Sequence, residues 1–326
     1  MFGALPYKTK QFFFLLIKLS IIGGAIYFIY EKLAKNENLD FSVFIDFLIK
    51  NDIFSIKNVL FLLLLTIFNW FFEILKWKNL VLIVKKITIT QAMKQSLAAL
   101  TTSLFTPNRM GDYAAKVAYY SKGQRKRVLM LNLISHMAQM CATLLFGIIG
   151  LIMFANIYGL DMPIFRLARL GALFIILFLF SVIAVRQNKY RIKGFSISKV
   201  IDFIRRIPLN TKISTLLYSA LRYLIFSFQF FALLVIFKID VSYSNAMIVI
   251  TTMYLLSSVV PTIFLFDVVV KGSIALYLFD IVGVNNLTVL SVITSMWILN
   301  FVLPGIIGSF YVLSFRPNII VQSSKD

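Results

Sequence analysis

Apolar runs of about span length recur along this chain, and they restrict its fold more than any other feature. Residues 58–75, NVLFLLLLTIFNWFFEIL, hold one charge, and 12–30, 129–156, 167–185, 213–237 and 287–313 are runs of the same kind. A helix of about 20 apolar residues crosses a hydrocarbon core of about 30 Å. Backbone N–H and C=O groups find no water there, so only helices and closed barrels can span. A barrel would read as shorter segments of alternating character. The expectation is an all-α polytopic membrane protein, in keeping with a mean hydropathy of +0.88.

The formal net charge is +20, and the basic residues flank the apolar runs, as in KWK, VKK, KGQRKR, RQNKYRIK and FIRR. In a soluble chain such a charge would suggest nucleic acid. Here no soluble stretch is long enough to carry a nucleic-acid reader, and cytoplasmic anchoring beside anionic lipid explains the pattern better. One cysteine, Cys141, allows neither an intrachain disulfide nor a cysteine metal cluster. No nucleophile elbow, metal motif or phosphate-binding glycine loop is present, so no cofactor, metal or catalytic residue is expected. Lys8 and Lys10 precede the first run as in a signal peptide. The run is of span length and lacks a small-x-small cleavage site, so it reads as a retained span.

Loop charges set the topology. With the N-terminus in the cytoplasm, the mixed loop 31–57 lies outside and the basic KWKNLVLIVKK after the second span lies inside. SKGQRKR, at 121–127, must also lie inside. Residues 87–121 therefore enter and return as a re-entrant hairpin. Pro107 breaks the first half and Gly111 permits a tight turn. Non-helical backbone at that depth is tolerated only where it is buried in protein or lines a cavity. Residues 129–156 then run outward, 167–185 inward, and the basic 186–212 falls inside. Residues 213–237 run outward, 245–282 form a second hairpin from the other side with its break at Pro261, and 287–313 return the C-terminus to the cytoplasm.

The result is one transmembrane domain, 1–326, with about six spans and two hairpins. It comprises a first span and outer loop (1–57), a first repeat (58–166), a linking span and basic loop (167–212) and a second repeat (213–326). The two hairpins echo each other. TPNRMGDYAAK has Pro107, Asp112 and Lys116, and VPTIFLFDVVVK has Pro261, Asp267 and Lys271, each lysine four residues after its acid. The units run in opposite directions, an inverted repeat with broken helices, the layout of many transporters with a site near the midplane.

Charged and polar residues inside the spans are the candidate site. Asp112 and Lys116, like Asp267 and Lys271, share a helix face and can pair. Asp112 either caps a half-helix and is neutralised by Lys116, or acts with Arg109, where a guanidinium beside a half-helix N-terminus suits phosphate. Asn132, His136, Gln139 and Thr143 form one stripe, either interhelical glue or the polar wall of a path in which His136 titrates. Glu73, with Asn69 on its face, and Arg222, with Gln229 below it, either snorkel to the inner surface or add opposite charges to one cavity.

LFTPNRMGDYAAKVAYY resembles the first signature, Pro-Gly-Arg-x-Gly-Glu, of the lysylphosphatidylglycerol synthase transmembrane (flippase-like) family. Residues 257–308, SSVVPTIF through FVLPGIIG, resemble that family's second half. Asn108 replaces a usual Gly, Asp112 and Asp267 replace Glu, and the second turn lacks the usual glycines. The likeness covers the membrane part only, so the soluble aminoacyl-transfer activity of bifunctional members is not implied. What the resemblance implies is a flippase-like translocase of lipid or lipid-linked glycan in a bacterial inner membrane. The partners it implies are an anionic phospholipid or lipid-linked substrate and the membrane itself. An accessory subunit of an envelope lipid- or glycosyl-transferase is the alternative, and an integral transferase ranks last. An envelope-biosynthesis enzyme and a second copy of the chain are the candidate protein partners.

Overall fold

The computed structural model describes residues 55–104, 106, 109–159, 197–259 and 267–315, with Asp46 and Ile49 besides; for 197–200, 259 and 267–271 it describes the backbone only. The expected spans 12–30 and 167–185, the loop 31–54, both termini, Pro107 and Pro261 lie outside the described residues.

Among the described residues the chain is helical. The helices are α1 (Ile56–Val81), α2 (Ile89–Ser103), α3 (Met110–Ala118), α4 (Arg125–Tyr158), α5 (Ile197–Arg206), α6 (Leu209–Ile236), α7 (Tyr243–Val259), α8 (Asp267–Ile281), α9 (Asn286–Trp297) and α10 (Leu303–Ser314), with a π-helical turn, Ile298–Val302, joining the last two. Four are long and apolar enough to cross a membrane: α1, α4, α6 and the continuous Asn286–Ser314. They match the runs at 58–75, 129–156, 213–237 and 287–313. Two boundaries differ from expectation. Helix α1 continues through the supposed loop KWKNLV, because Leu80 and Val81 are buried and Lys76 is neutralised. Helix α5 forms inside the basic segment 186–212 and packs on α4.

Burial is inverted relative to a water-soluble helix. On α1 the buried stripe carries Thr66, Asn69, Glu73 and Lys76, while Leu60, Phe61, Leu64, Ile67, Phe68 and Phe71 face outward. An apolar exterior with polar groups turned inward suits lipid as the surrounding solvent.

The long helices pack in pairs. Helix α1 pairs with α6, and the pairing is antiparallel: the Gln229 amide donates to Thr66 at 2.9 Å, and the Asn79 amide donates to the Thr211 carbonyl at 3.2 Å. Helix α4 packs on α7 as α10 packs on α2. Both contacts use a pair of glycines three residues apart. A Cβ at Gly150 would lie 2.0 Å from Thr251 Oγ1, and one at Gly308 would lie 2.2 Å from the Leu97 carbonyl. Small residues let backbones approach where lipid gives no hydrophobic drive for helix association.

The ends of the short helices are also informative. Val81, Ile87, Tyr120, Val128 and Ile207 belong to one buried cluster, so the entry to α2 and the exit from α3 lie at the same end of the bundle. The basic segments around Lys85, Arg125 and Arg206 adjoin that cluster in sequence. Phe237 before α7, Ala246 in its first turn, and Val284 and Val289 after α8 share a different cluster with Leu62 and Phe154.

Candidate functional site

The site is built from α1, α2, α3, α4, α6 and the π-turn, starting at the α2–α3 junction. A capping box starts α2: the Thr88 hydroxyl accepts from the Gln91 N–H and the Gln91 side chain accepts from the Thr88 N–H. After Ser103 the chain turns, and Arg109 adopts a left-handed φ of 54° before α3 begins. Gly111 was expected to make this turn, but it lies in the first turn of α3 with ordinary helical backbone. Its lack of a side chain serves close approach instead: a Cβ there would lie 2.0 Å from the Thr102 carbonyl. The Thr102 hydroxyl donates to the Gly111 carbonyl at 2.9 Å, and the Gly111 N–H donates to Thr106 Oγ1 at 2.8 Å.

Helix α3 then turns Asp112 and Lys116 toward α4. Asp112 Oδ2 accepts from the Asn132 amide at 2.7 Å and lies 2.7 Å from His136 Nε2, and Oδ1 lies 3.2 Å from Lys116 Nζ. Asp112 does not cap its helix. Lys116 also donates to Asn132 Oδ1 at 2.8 Å, and its ammonium sits 4.5 Å from the centre of the Trp77 ring. The expected stripe on α4 serves two purposes. Asn132 is buried glue between helices, while His136 lies at a cavity wall.

A second charged group faces the first across the same space. Glu73 Oε2 lies 2.7 Å from Lys76 Nζ and 2.5 Å from an Arg222 guanidinium nitrogen. Arg222 Nε also donates to Asn69 Oδ1 at 3.0 Å. Glu73 and Arg222 therefore turn inward rather than snorkelling. Gln139 joins the groups, accepting from Lys76 Nζ at 3.5 Å and donating to the Ser219 carbonyl at 3.3 Å.

From Asn69 a polar ladder runs toward the far end of α1. Asn69 donates to Asn300 Oδ1 at 2.7 Å, Asn300 donates to Gln229 Oε1 at 2.9 Å, and Gln229 donates to Thr66 and to the Leu62 carbonyl. Asn300 sits in the π-turn. Pro304 offers no N–H to the Asn300 carbonyl, which accepts the Trp70 indole N–H at 3.2 Å. Such turns recur at functional sites because they re-aim side chains and carbonyls.

The charged groups line one partly open cavity. Its walls include Trp70, Glu73, Lys76, Ser96, Leu100, Ser103, Arg109, Asp112, Lys116, His136, Gln139, Arg222 and Phe301. Among the described residues, and leaving His136 out of the count, four cations face two carboxylates, an excess of two positive charges. The Arg109 guanidinium carbon lies 5.6 Å from the centre of the Phe301 ring. The cavity thus gathers Arg109, Asp112, Lys116, Glu73, Arg222, His136 and Gln139, with Asn132 just behind its wall. Asp267 and Lys271 lie on the first turns of α8, and their side chains fall outside the described residues.

Sequence reasoning missed Lys76, Ser96, Trp70 and Asn300. Lys76 was grouped with the cytoplasmic basic cluster, although an acid three residues earlier was a signal that it could pair along the helix. Asn300 is an intramembrane amide four residues before a proline, a pattern that marks a carbonyl open to an outside donor. Comparison with protein-family models, with curated proteins and with solved structures finds no match to this chain.

Proposed function

We propose that this protein is a flippase-like translocase that carries anionic lipid or lipid-linked glycan headgroups across a bacterial inner membrane. The cavity supports this reading most directly: it holds net positive charge inside a bundle whose exterior is apolar. A cleft lined by one sign of charge concentrates the opposite one, so an excess of cations there attracts an anion. In this reading 87–121 and 245–282 are re-entrant hairpins of two inverted units among six spans. The antiparallel α1–α6 pairing and the shared cluster at both ends of 87–121 support that arrangement. Both termini would be cytoplasmic, and Asp267 and Lys271 would serve the path from the outer side. The lipid moves by equilibration or on an existing gradient.

The test is flipping of fluorescent phosphatidylglycerol and phosphatidate, in parallel, in vesicles holding the purified chain, read as fluorescence lost to dithionite. The parent should flip faster than protein-free vesicles. Arg109→Gly should slow flipping with little change in stability, because Gly takes the left-handed φ without the penalty of a Cβ, which offsets the lost contact with Phe301. A parent no faster than protein-free vesicles would refute the translocase, and an Arg109→Gly rate equal to the parent's would remove Arg109 from the path.

A further inference from the structure

The cavity's own ion pairs do not use up its positive charge. Glu73 is shared between Lys76 and Arg222, and Asp112 pairs with Lys116. Arg109 lines the same space and makes no ion pair among the described residues. Ser96 faces it from α2. It is 3% exposed, and its Oγ has no hydrogen-bond partner among the described residues. A buried hydroxyl without a partner is unfavourable, and a ligand that supplies the partner removes that penalty.

Resting on the translocase reading, we propose that the headgroup is a terminal phosphomonoester, with Ser96 hydrogen-bonding one phosphate oxygen and Arg109 and Arg222 matching its charge. A phosphomonoester carries about −1.5 to −2 near neutral pH and offers three strong acceptor oxygens. A phosphodiester headgroup carries a single negative charge on two free oxygens, which would leave one cation of the cavity unmatched. The charge balance and the third acceptor oxygen together discriminate between the two headgroups. Guanidinium groups suit the task because their fork matches two phosphate oxygens at once. Ser96, Arg109 and Arg222 come from α2, the α2–α3 turn and α6, so they can surround a tetrahedral group that one helix could not.

The same chemistry would accept inorganic phosphate, so the experiment separates lipid from free anion. The full chain is placed in phosphatidylcholine nanodiscs at roughly pH 8, about two units above the second phosphate pKa. Binding is followed by Trp fluorescence, since Trp70 lines the cavity. Three ligands are compared: phosphatidate, phosphatidylglycerol of the same acyl chains, and inorganic phosphate. Phosphatidate should bind at least about tenfold more tightly than phosphatidylglycerol. Ser96→Ala should reduce that preference to about threefold or less without lowering the melting temperature, because it deletes a hydroxyl that had no partner. If Ser96→Ala does not fold, Arg109→Gly carries the same comparison.

Equal affinity for the two lipids, or an undiminished preference in the variant, overturns the proposal. Inorganic phosphate binding as tightly as phosphatidate reassigns the site to the free anion and removes the lipid. A clear phosphatidate preference without flipping keeps the phosphomonoester site and refutes the translocase. Flipping of phosphatidylglycerol as fast as phosphatidate keeps the translocase and refutes the phosphomonoester.

Discussion

Replacing Glu73 by Gln removes the one carboxylate that Lys76 and Arg222 share, and the structure sets the size of the effect. The Lys76 side chain is 2% exposed, so its ammonium cannot reach water without displacing packed helices. Arg222 is 24% exposed at its side chain and keeps its bond to Asn69 at 3.0 Å, so it retains partial compensation. Losing one partner of a buried pair typically costs about 3–5 kcal/mol, most of it from the charge left behind. Glu73→Gln should therefore destabilise by about 3–5 kcal/mol. Lys76→Met is different, because Glu73 still has Arg222 at 2.5 Å, and it should cost only about 1 kcal/mol. Combining the two removes the stranded ammonium, so the double variant should be about 2 kcal/mol more stable than Glu73→Gln alone, a coupling within the range measured for contacting residues. The assay is a double-mutant cycle by reversible unfolding in mixed micelles. A double variant no more stable than Glu73→Gln would mean that Lys76 reaches the surface after all, as its KWK context suggested, and the buried charge cluster would be wrong.

Two further outcomes test the architecture. With Cys141, which is exposed, replaced by Ser, single cysteines at Lys85 and Lys122 should both react from one side of the membrane and a cysteine at Asp240 from the other; opposite sides for Lys85 and Lys122 would make 87–121 a crossing rather than a return. Gly308→Ala should lose about 3 kcal/mol or fail to fold, because its Cβ would lie 2.2 Å from the Leu97 carbonyl, whereas Gly123→Ala, with nothing within 4 Å, should melt like the parent.

Much of the fold was legible because lipid imposes its rules locally. A span must be apolar over about 20 consecutive residues, so α1, α4, α6 and the last span could be located from composition alone. The broken segment at 103–116 was legible for a related reason: proline and charges inside an apolar chain have few tolerated placements. That Asp112 and Lys116 would pair followed from their i, i+4 spacing.

Whether a given polar residue is path or glue was not decided there, because that depends on which faces of distant helices meet. Lys76 and Lys78 sit two residues apart in one basic tripeptide, yet Lys76 is buried against Glu73 and Arg222 while Lys78 is half-buried in the last turn of α1. Only the α1–α6 crossing, 149 residues apart in sequence, separates them. The left-handed turn is similar. Sequence favoured Gly111 for it, but the close approach of α3 to Thr102 requires a missing side chain at Gly111, and the positive φ falls to Arg109. Hydropathy is summed along the chain and is read residue by residue. The cavity's charge is summed across helices, and it takes its value only when Glu73, Lys76, Arg109, Asp112, Lys116 and Arg222 are brought around one space.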